Sequence, residues 1–90
     1  MSNYQRVLRQ VLGGRADANI RFAELCHLLR RLGFEERTSG SHHIFRKAAV
    51  EEKVNLQRDG NKAKPYQVRQ VRQVISKHGL ARENEWTGTR

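Results

Sequence analysis

The stretch best suited to chemistry is a short run in which a flexible loop leads into two adjacent histidines. It reads Ser39-Gly40-Ser41-His42-His43-Ile44-Phe45-Arg46. A histidine has an unperturbed pKa of about 6.5, so it can take up and release protons near neutral pH. The turn in front of the pair offers backbone N–H groups and hydroxyls that can hold a phosphate. The run is therefore a candidate for proton transfer at a bound phosphate.

The two histidines are not expected to bind a metal together. Adjacent residues of a strand point to opposite faces, so one histidine accompanies Phe45 and the other accompanies Ile44. No Asp, Glu or Cys cluster stands nearby in the sequence, and we expect no metal and no cofactor. The same spacing also fits two ordinary residues at the start of a strand, and both interpretations stay open. The single cysteine, Cys26, excludes a disulfide framework and predicts no Cys-based metal site, and it is expected to be a small core residue.

A second candidate site is the start of the last helix. Lys62 and Lys64 precede Pro65, and Arg69 follows about one turn later. Cations are the wrong charge for a helix N-terminus, whereas bare N–H groups with lysines suit an anion. The alternative is a solvated basic loop.

The overall charge points to an anionic partner. The chain has 18 Lys and Arg against 9 Asp and Glu, a net charge of +9. Nucleic acid is the first expectation, an acidic protein the second and an anionic membrane the third, against a merely soluble basic domain. Further basic residues are expected on the exposed sheet face and helix flanks: Arg37, Arg46, Lys47, Lys53, Arg58 and Arg72. Tyr66 is the best candidate for stacking on a base. No apolar run resembles a signal peptide or a membrane span, so we expect a cytoplasmic protein with no membrane partner.

The elements that must position these residues follow from apolar periodicity. The predicted helices are 3–12, 21–32 and 65–78, and the predicted strands are 34–38, 43–47 and 52–57, with a polar loop at 58–64. Ser2 is the predicted N-cap of the first helix, and Arg72 is expected to face outwards from the last. We divide the chain into an N-terminal helix and linker at 1–20, a domain at 21–80 and a polar tail at 81–90 that contains Trp86.

The predicted order is α-β-β-β-α preceded by one extra helix. This α+β order is that of double-stranded-RNA-binding domains, in which both helices cover one face of a three-stranded antiparallel sheet. The extra helix has a strong apolar stripe. It is expected to pack on its own domain or on a second copy, which leaves a homodimer open.

Four segments in order resemble the HicA toxins of type II toxin–antitoxin systems. They are Leu28-Leu29-Arg30-Arg31-Leu32-Gly33-Phe34, the run from Gly40 to Arg46, Lys64-Pro65-Tyr66-Gln67-Val68-Arg69 and Lys77-His78-Gly79-Leu80. The resemblance spans about residues 21 to 80. It implies a fold similar to a double-stranded-RNA-binding domain, mRNA interferase activity and inhibition by a HicB antitoxin. The family's catalytic histidine ends a Gly-Ser-x-His run, which corresponds to His43 and not to His42.

The resemblance therefore implies a metal-independent mRNA endoribonuclease that uses His43. The expected RNA-binding residues are Gly40, Ser41, His42, Arg46, Lys62, Lys64 and Arg69. Gln57-Arg58-Asp59 stands where many members have Pro-x-His, which favours the alternative of a non-catalytic RNA-binding module of the same fold. A third hypothesis is an interaction protein whose basic face meets an acidic antitoxin in a hetero-oligomer.

Overall fold

Helices and a small antiparallel sheet share one hydrophobic core in the computed structural model, which describes residues 3–81. The helices are α1 (Asn3–Gly13), α2 (Phe22–Arg31) and α3 (Pro65–His78), with one 3-10 turn at Asp17–Asn19. The strands are β1 (Glu35–Ser39), β2 (His42–Lys47), β3 (Val50–Leu56), β4 (Arg58–Asp59) and β5 (Lys62–Ala63). The predicted Ser2 cap and the tail with Trp86 lie outside the described residues. The predicted α-β-β-β-α order with an extra N-terminal helix is confirmed.

Helix α1 belongs to the same core as the rest of the fold. Tyr4, Val7, Leu8 and Val11 are buried at helical spacing and pack with α2 and α3. Leu12, which the periodicity also places on the stripe, is exposed at its border. The apolar stripe of α1 is thus covered by its own chain.

The other two helices begin and end where local chemistry predicts. Pro65 occupies the first turn of α3, where its missing N–H costs no hydrogen bond. Helix α2 is followed by Gly33, whose φ of 99° lies in the left-handed region that a side chain disfavours. Their buried faces cover one side of the sheet with aliphatic and aromatic side chains: Phe22, Leu25, Leu28, Leu29, Val68, Val71, Val74 and Ile75.

The sheet has the order β1-β2-β3, with both pairs antiparallel. Phe45, Val54 and Leu56 are fully buried and face the helices, so residues that alternate with them face outwards. The strand boundaries differ from prediction by one or two residues. The turn between β2 and β3 holds Ala49 at a φ of 72°, a left-handed conformation in a non-glycine residue.

The predicted polar loop at 58–64 is wrong, because this segment forms the short β4–β5 hairpin. The hairpin is tied to the start of α2: the Ala63 N–H donates to the Ile20 carbonyl at 2.9 Å, and the Phe22 N–H donates to the Asn61 carbonyl at 3.0 Å. Short strands of polar residues have no apolar alternation, which is why periodicity misses them.

The expectation that Arg72 faces outwards is also wrong. Its guanidinium makes two hydrogen bonds to the Asp17 carboxylate, at 2.9 and 3.1 Å, and a third to the Val11 carbonyl at 2.9 Å. The hydrogen bond from Arg72 is the main reason why the pKa of Asp17 lies below its usual value. Arg72 therefore joins α3 to α1 and to the 3-10 turn. Among residues 3–81, no helix has both the length and the apolar character needed to cross a membrane.

Candidate active site

His43 lies on the helix-facing side of β2, near the end of the sheet next to the Gly40 turn. Its side chain is 26% exposed, so one part is packed and another reaches solvent. The ring meets Phe22 of α2 edge-on, with ring centroids 5.0 Å apart and planes at 73°. This packing limits the orientations that the imidazole can adopt.

Glu36 holds the imidazole from the neighbouring strand. It lies opposite Phe45, one diagonal step from His43, and its Oε2 is 2.7 Å from His43 Nδ1. The other carboxylate oxygen accepts a hydrogen bond from Arg30 of α2 at 2.6 Å. Burial raises the pKa of Glu36, but the hydrogen bonds from His43 and Arg30 lower it more, and the pKa lies below its usual value.

The charge of Glu36 fixes the tautomer of His43. An ionised carboxylate can only accept hydrogen bonds, so the proton of this contact belongs to His43 Nδ1. In the neutral ring, Nε2 then carries the lone pair. No hydrogen bond from residues 3–81 engages Nε2. His43 Nε2 is therefore a potential proton acceptor, and the contact between Nδ1 and the Glu36 carboxylate sets the orientation of the ring.

Arg58 contacts the same Phe22 ring that packs against His43. Its guanidinium carbon lies 4.9 Å from the centroid of the Phe22 ring, a cation–π geometry. Arg58 and His43 thus both contact the Phe22 ring. Arg58 is exposed, as predicted from the sequence, and its place in the β4–β5 hairpin also brings it onto the Phe22 ring that His43 contacts.

The Gly40 turn is linked to the first turn of α3. Gly40 has a φ of 61°, in agreement with the predicted turn. The Gln57 side-chain amide donates to Ser41 Oγ at 3.2 Å, and the Gln57 backbone N–H donates to Oε1 of the buried Gln67 at 3.3 Å. Gln57 therefore joins the turn, the end of β3 and the start of α3.

The start of α3 has the properties of an anion site. Lys64 is the N-cap residue, the first turn has no acidic residue, and no side chain caps the helix. Tyr66 is 57% exposed in this first turn. The Gln67 and Val68 N–H groups donate to the Lys64 carbonyl, at 2.9 and 3.1 Å, so the features that suit a phosphate group here are the Lys64 charge and the positive end of the helix dipole.

The remaining candidates do not gather at His43. His42 and Arg46 lie on the opposite face of β2. His42 Nδ1 is 3.2 Å from Asn55 Oδ1, and Arg46 stands opposite Glu35 in the strand register. Lys62 donates to Asn19 Oδ1 at 3.4 Å, beside the start of α2. Arg69 is exposed on α3, where its charge helps to lower the pKa of Asp17. Of the predicted site residues on β2, His42 and Arg46 therefore lie on one face of the sheet and His43 on the other.

Cys26 is a third neighbour of His43 and Glu36. The potential ligand atoms of these three residues all lie within 4.8 Å of one another. Burial is the main reason why the pKa of the Cys26 thiol is raised to about 11, with a further contribution from Glu36. The sequence argument against a Cys-based site considered only neighbours along the chain and missed this grouping.

The α-β-β-β-α fold, with a carboxylate-held histidine at one end of its sheet, has the architecture of a double-stranded-RNA-binding domain. The model of the family described as HicA toxin of bacterial toxin-antitoxin matches residues 22–80, and the chain belongs to this family. Membership implies a toxin of a toxin–antitoxin system, with an antitoxin as its partner. Comparisons with curated proteins and with solved structures gave no match.

Proposed function

We propose that the chain is an mRNA endoribonuclease in which His43 transfers protons without the help of a metal ion. The observation that supports this best is the 2.7 Å contact between His43 Nδ1 and the Glu36 carboxylate. A carboxylate in this position selects the tautomer with a free Nε2 and stabilises the imidazolium that forms when Nε2 accepts a proton. A histidine with only a packing role does not need such a partner.

The reaction that fits is attack of the ribose 2′-hydroxyl on the adjacent phosphorus. His43 Nε2 takes the hydroxyl proton as the new P–O2′ bond forms and the P–O5′ bond breaks. The departing 5′ oxygen takes a proton from the imidazolium or from water. The products are a 2′,3′-cyclic phosphate and a 5′-hydroxyl. Positioned proton transfer of this kind contributes roughly 10²–10⁴-fold to the rate, which is modest for an enzyme.

The phosphate would lie between the Gly40 turn and the cationic groups around it. Gly40 and Ser41 supply turn N–H and hydroxyl groups, and Lys64 stands at the uncapped start of α3. Arg58, held on Phe22, is placed to balance the negative charge that develops at phosphorus. We propose that Lys62 and Arg69 contact the RNA backbone on the same side, and His42 and Arg46 on the outer face of the sheet.

The second candidate function is a non-catalytic RNA-binding module. It is favoured by Gln57-Arg58-Asp59, which stands where many family members have Pro-x-His, so the second histidine that could have assisted His43 is missing from this run. Such a module would bind RNA with an affinity that falls steeply with salt and would leave the RNA intact.

Incubation of the purified chain with a defined RNA in the presence of EDTA separates the two. We expect cleavage products that end in a 2′,3′-cyclic phosphate, and no cleavage at a nucleotide whose 2′-hydroxyl is replaced by hydrogen. RNA that is bound but intact would support the module. Cleavage of the 2′-deoxy position would contradict attack by the 2′-hydroxyl.

We further propose that the partner is an acidic HicB-like antitoxin that covers His43, and that the complex assembles in the cytoplasm. The positive charge of the chain supports an acidic partner. We also propose that residues 21–80 form the family-type domain, with 1–20 as an addition to it and 81–90 as a tail. Co-expression with an acidic reading frame from the neighbouring gene, followed by light scattering, tests the pairing and separates a hetero-oligomer from a homodimer.

A further inference from the structure

We propose that Cys26, Glu36 and His43 form an inhibitory binding site for a thiophilic divalent cation, with Zn²⁺ as the probe. The inhibition rests on the proposed function, because it requires that His43 transfers protons. The binding does not rest on it. The three residues come from α2, β1 and β2, so the site exists only in the folded chain.

The geometry is close to that of a zinc site. The three ligand atoms lie within 4.8 Å of one another, and the Nδ1–Oε2 pair is at 2.7 Å. Bonds of about 2.0–2.3 Å in a tetrahedral arrangement place ligand atoms about 3.4–3.6 Å apart. A cation would therefore open the His43–Glu36 pair slightly and draw the Cys26 sulfur inwards.

The surroundings supply the other features of a zinc site. Glu36 and His43 are partly exposed, at 20% and 26%, which gives an ion access to the buried sulfur behind them. Arg30 bonds the second oxygen of Glu36 and would keep that carboxylate oriented. With three protein ligands, the fourth position is left for water.

The same surroundings select against hard cations. Arg30 and Arg58 place positive charge beside the site, and Cys26 must lose its thiol proton to bind. Only an ion with high affinity for thiolate can offset these two costs. Mg²⁺ and Ca²⁺ prefer oxygen ligands, so we expect neither of them to bind here.

Binding would stop the chemistry at His43. A cation on Nδ1 displaces the proton that Glu36 now accepts, and the neutral ring then carries its proton on Nε2. That nitrogen can no longer accept a proton from the 2′-hydroxyl. Glu36 would then bind the cation, and it could no longer accept a hydrogen bond from His43 Nδ1.

The test is calorimetric titration of the untagged chain with ZnCl₂, alongside Cys26→Ala and His27→Ala. His27 is an exposed histidine on the same helix, so its replacement reports on adventitious surface binding. We expect one ion per chain, an affinity weakened about 100-fold or more in Cys26→Ala, and parental affinity in His27→Ala. MgCl₂ should give no signal. Equal affinity in the parent and Cys26→Ala would overturn the proposal, as would loss of binding in His27→Ala.

Two further measurements keep the test decisive. Cys26→Ser guards against a packing defect in Cys26→Ala, and thermal unfolding without metal checks that both variants fold. With Co²⁺ in place of Zn²⁺, the parent should show thiolate-to-metal absorption that both variants lack; its absence in the parent would overturn the proposal.

The cleavage assay then separates this proposal from the proposed function. Zn²⁺ should inhibit RNA cleavage by the parent and leave Cys26→Ala uninhibited. Binding without any RNA cleavage would sustain the site and refute the nuclease. Cleavage that Zn²⁺ inhibits equally in both proteins would refute the site and sustain the nuclease.

Discussion

The replacement Glu36→Gln tests the carboxylate behind His43 while keeping the size and shape of the side chain. Glutamine can still accept a hydrogen bond from Nδ1, but the negative charge 2.7 Å from the ring is lost. A hydrogen bond to a charged group contributes about 1.5–3 kcal/mol and a neutral one about 0.5–1.5 kcal/mol. The difference of about 1–2 kcal/mol is what the imidazolium formed during the reaction would lose. Since each 1.36 kcal/mol changes a rate tenfold, we expect cleavage to slow by about 5- to 30-fold.

Glu35→Gln is the matched control for this replacement. It makes the same change of charge one residue away, on the exposed outer face opposite Arg46. The assay is single-turnover cleavage with the protein in saturating excess over the RNA, and circular dichroism confirms that both variants are folded. Comparable rates for the two variants would refute the role given to Glu36, because a general effect of net charge would act on both.

Three further predictions concern stability. Arg72→Met leaves the Asp17 carboxylate without its guanidinium partner, and urea unfolding should show a loss of about 1–3 kcal/mol; no loss would contradict the joining role of Arg72. Ala49→Gly relieves a left-handed φ of 72° and should stabilise the fold by about 0.5–1 kcal/mol, whereas Ala48→Gly should not stabilise it; equal effects would contradict the strain at Ala49. Hydrogen bonds from α3, foremost that of Lys77, lower the pKa of Glu52 from 4.5 to about 2, so Glu52 stabilises the fold above pH 4.5 and loses this effect as the pH falls through 2. In Glu52→Gln, the free energy of unfolding should change less with pH between about 2 and 4.5 than it does in the parent. The same dependence on pH in both proteins would contradict the pairing of Glu52 with Lys77.

The parts of the fold that follow from periodicity were predictable. The apolar stripes of the three helices, and the alternation of Val54 and Leu56 in β3, encode which faces are buried. Because adjacent residues of a strand point to opposite faces, the sequence also predicted that the side chains of His42 and His43 lie on different faces of the sheet. The structure places them on opposite faces of β2. These features depend only on neighbours along the chain.

The surroundings of His43 depend on contacts between elements, which one sequence does not reveal. Glu36 reaches the ring only because β1 pairs with β2 in one register, and Cys26 because α2 packs on that face. Arg58 approaches through the short β4–β5 hairpin, which has no apolar pattern. A glutamate two residues after Phe34 carries no local signal of its role, so the acidic partner of the histidine was missed.

The most direct measurement of the central claim is the single-turnover rate of RNA cleavage by His43→Ala beside His42→Ala. The two changes remove the same group from adjacent positions on opposite faces of β2. We expect His43→Ala to lose about 10²–10⁴-fold in rate. We expect His42→Ala to retain most of the parental rate, but to reach it only at a higher protein concentration because it binds RNA more weakly. Cleavage by His43→Ala at the parental rate would contradict the assignment of His43 as the proton-transfer residue.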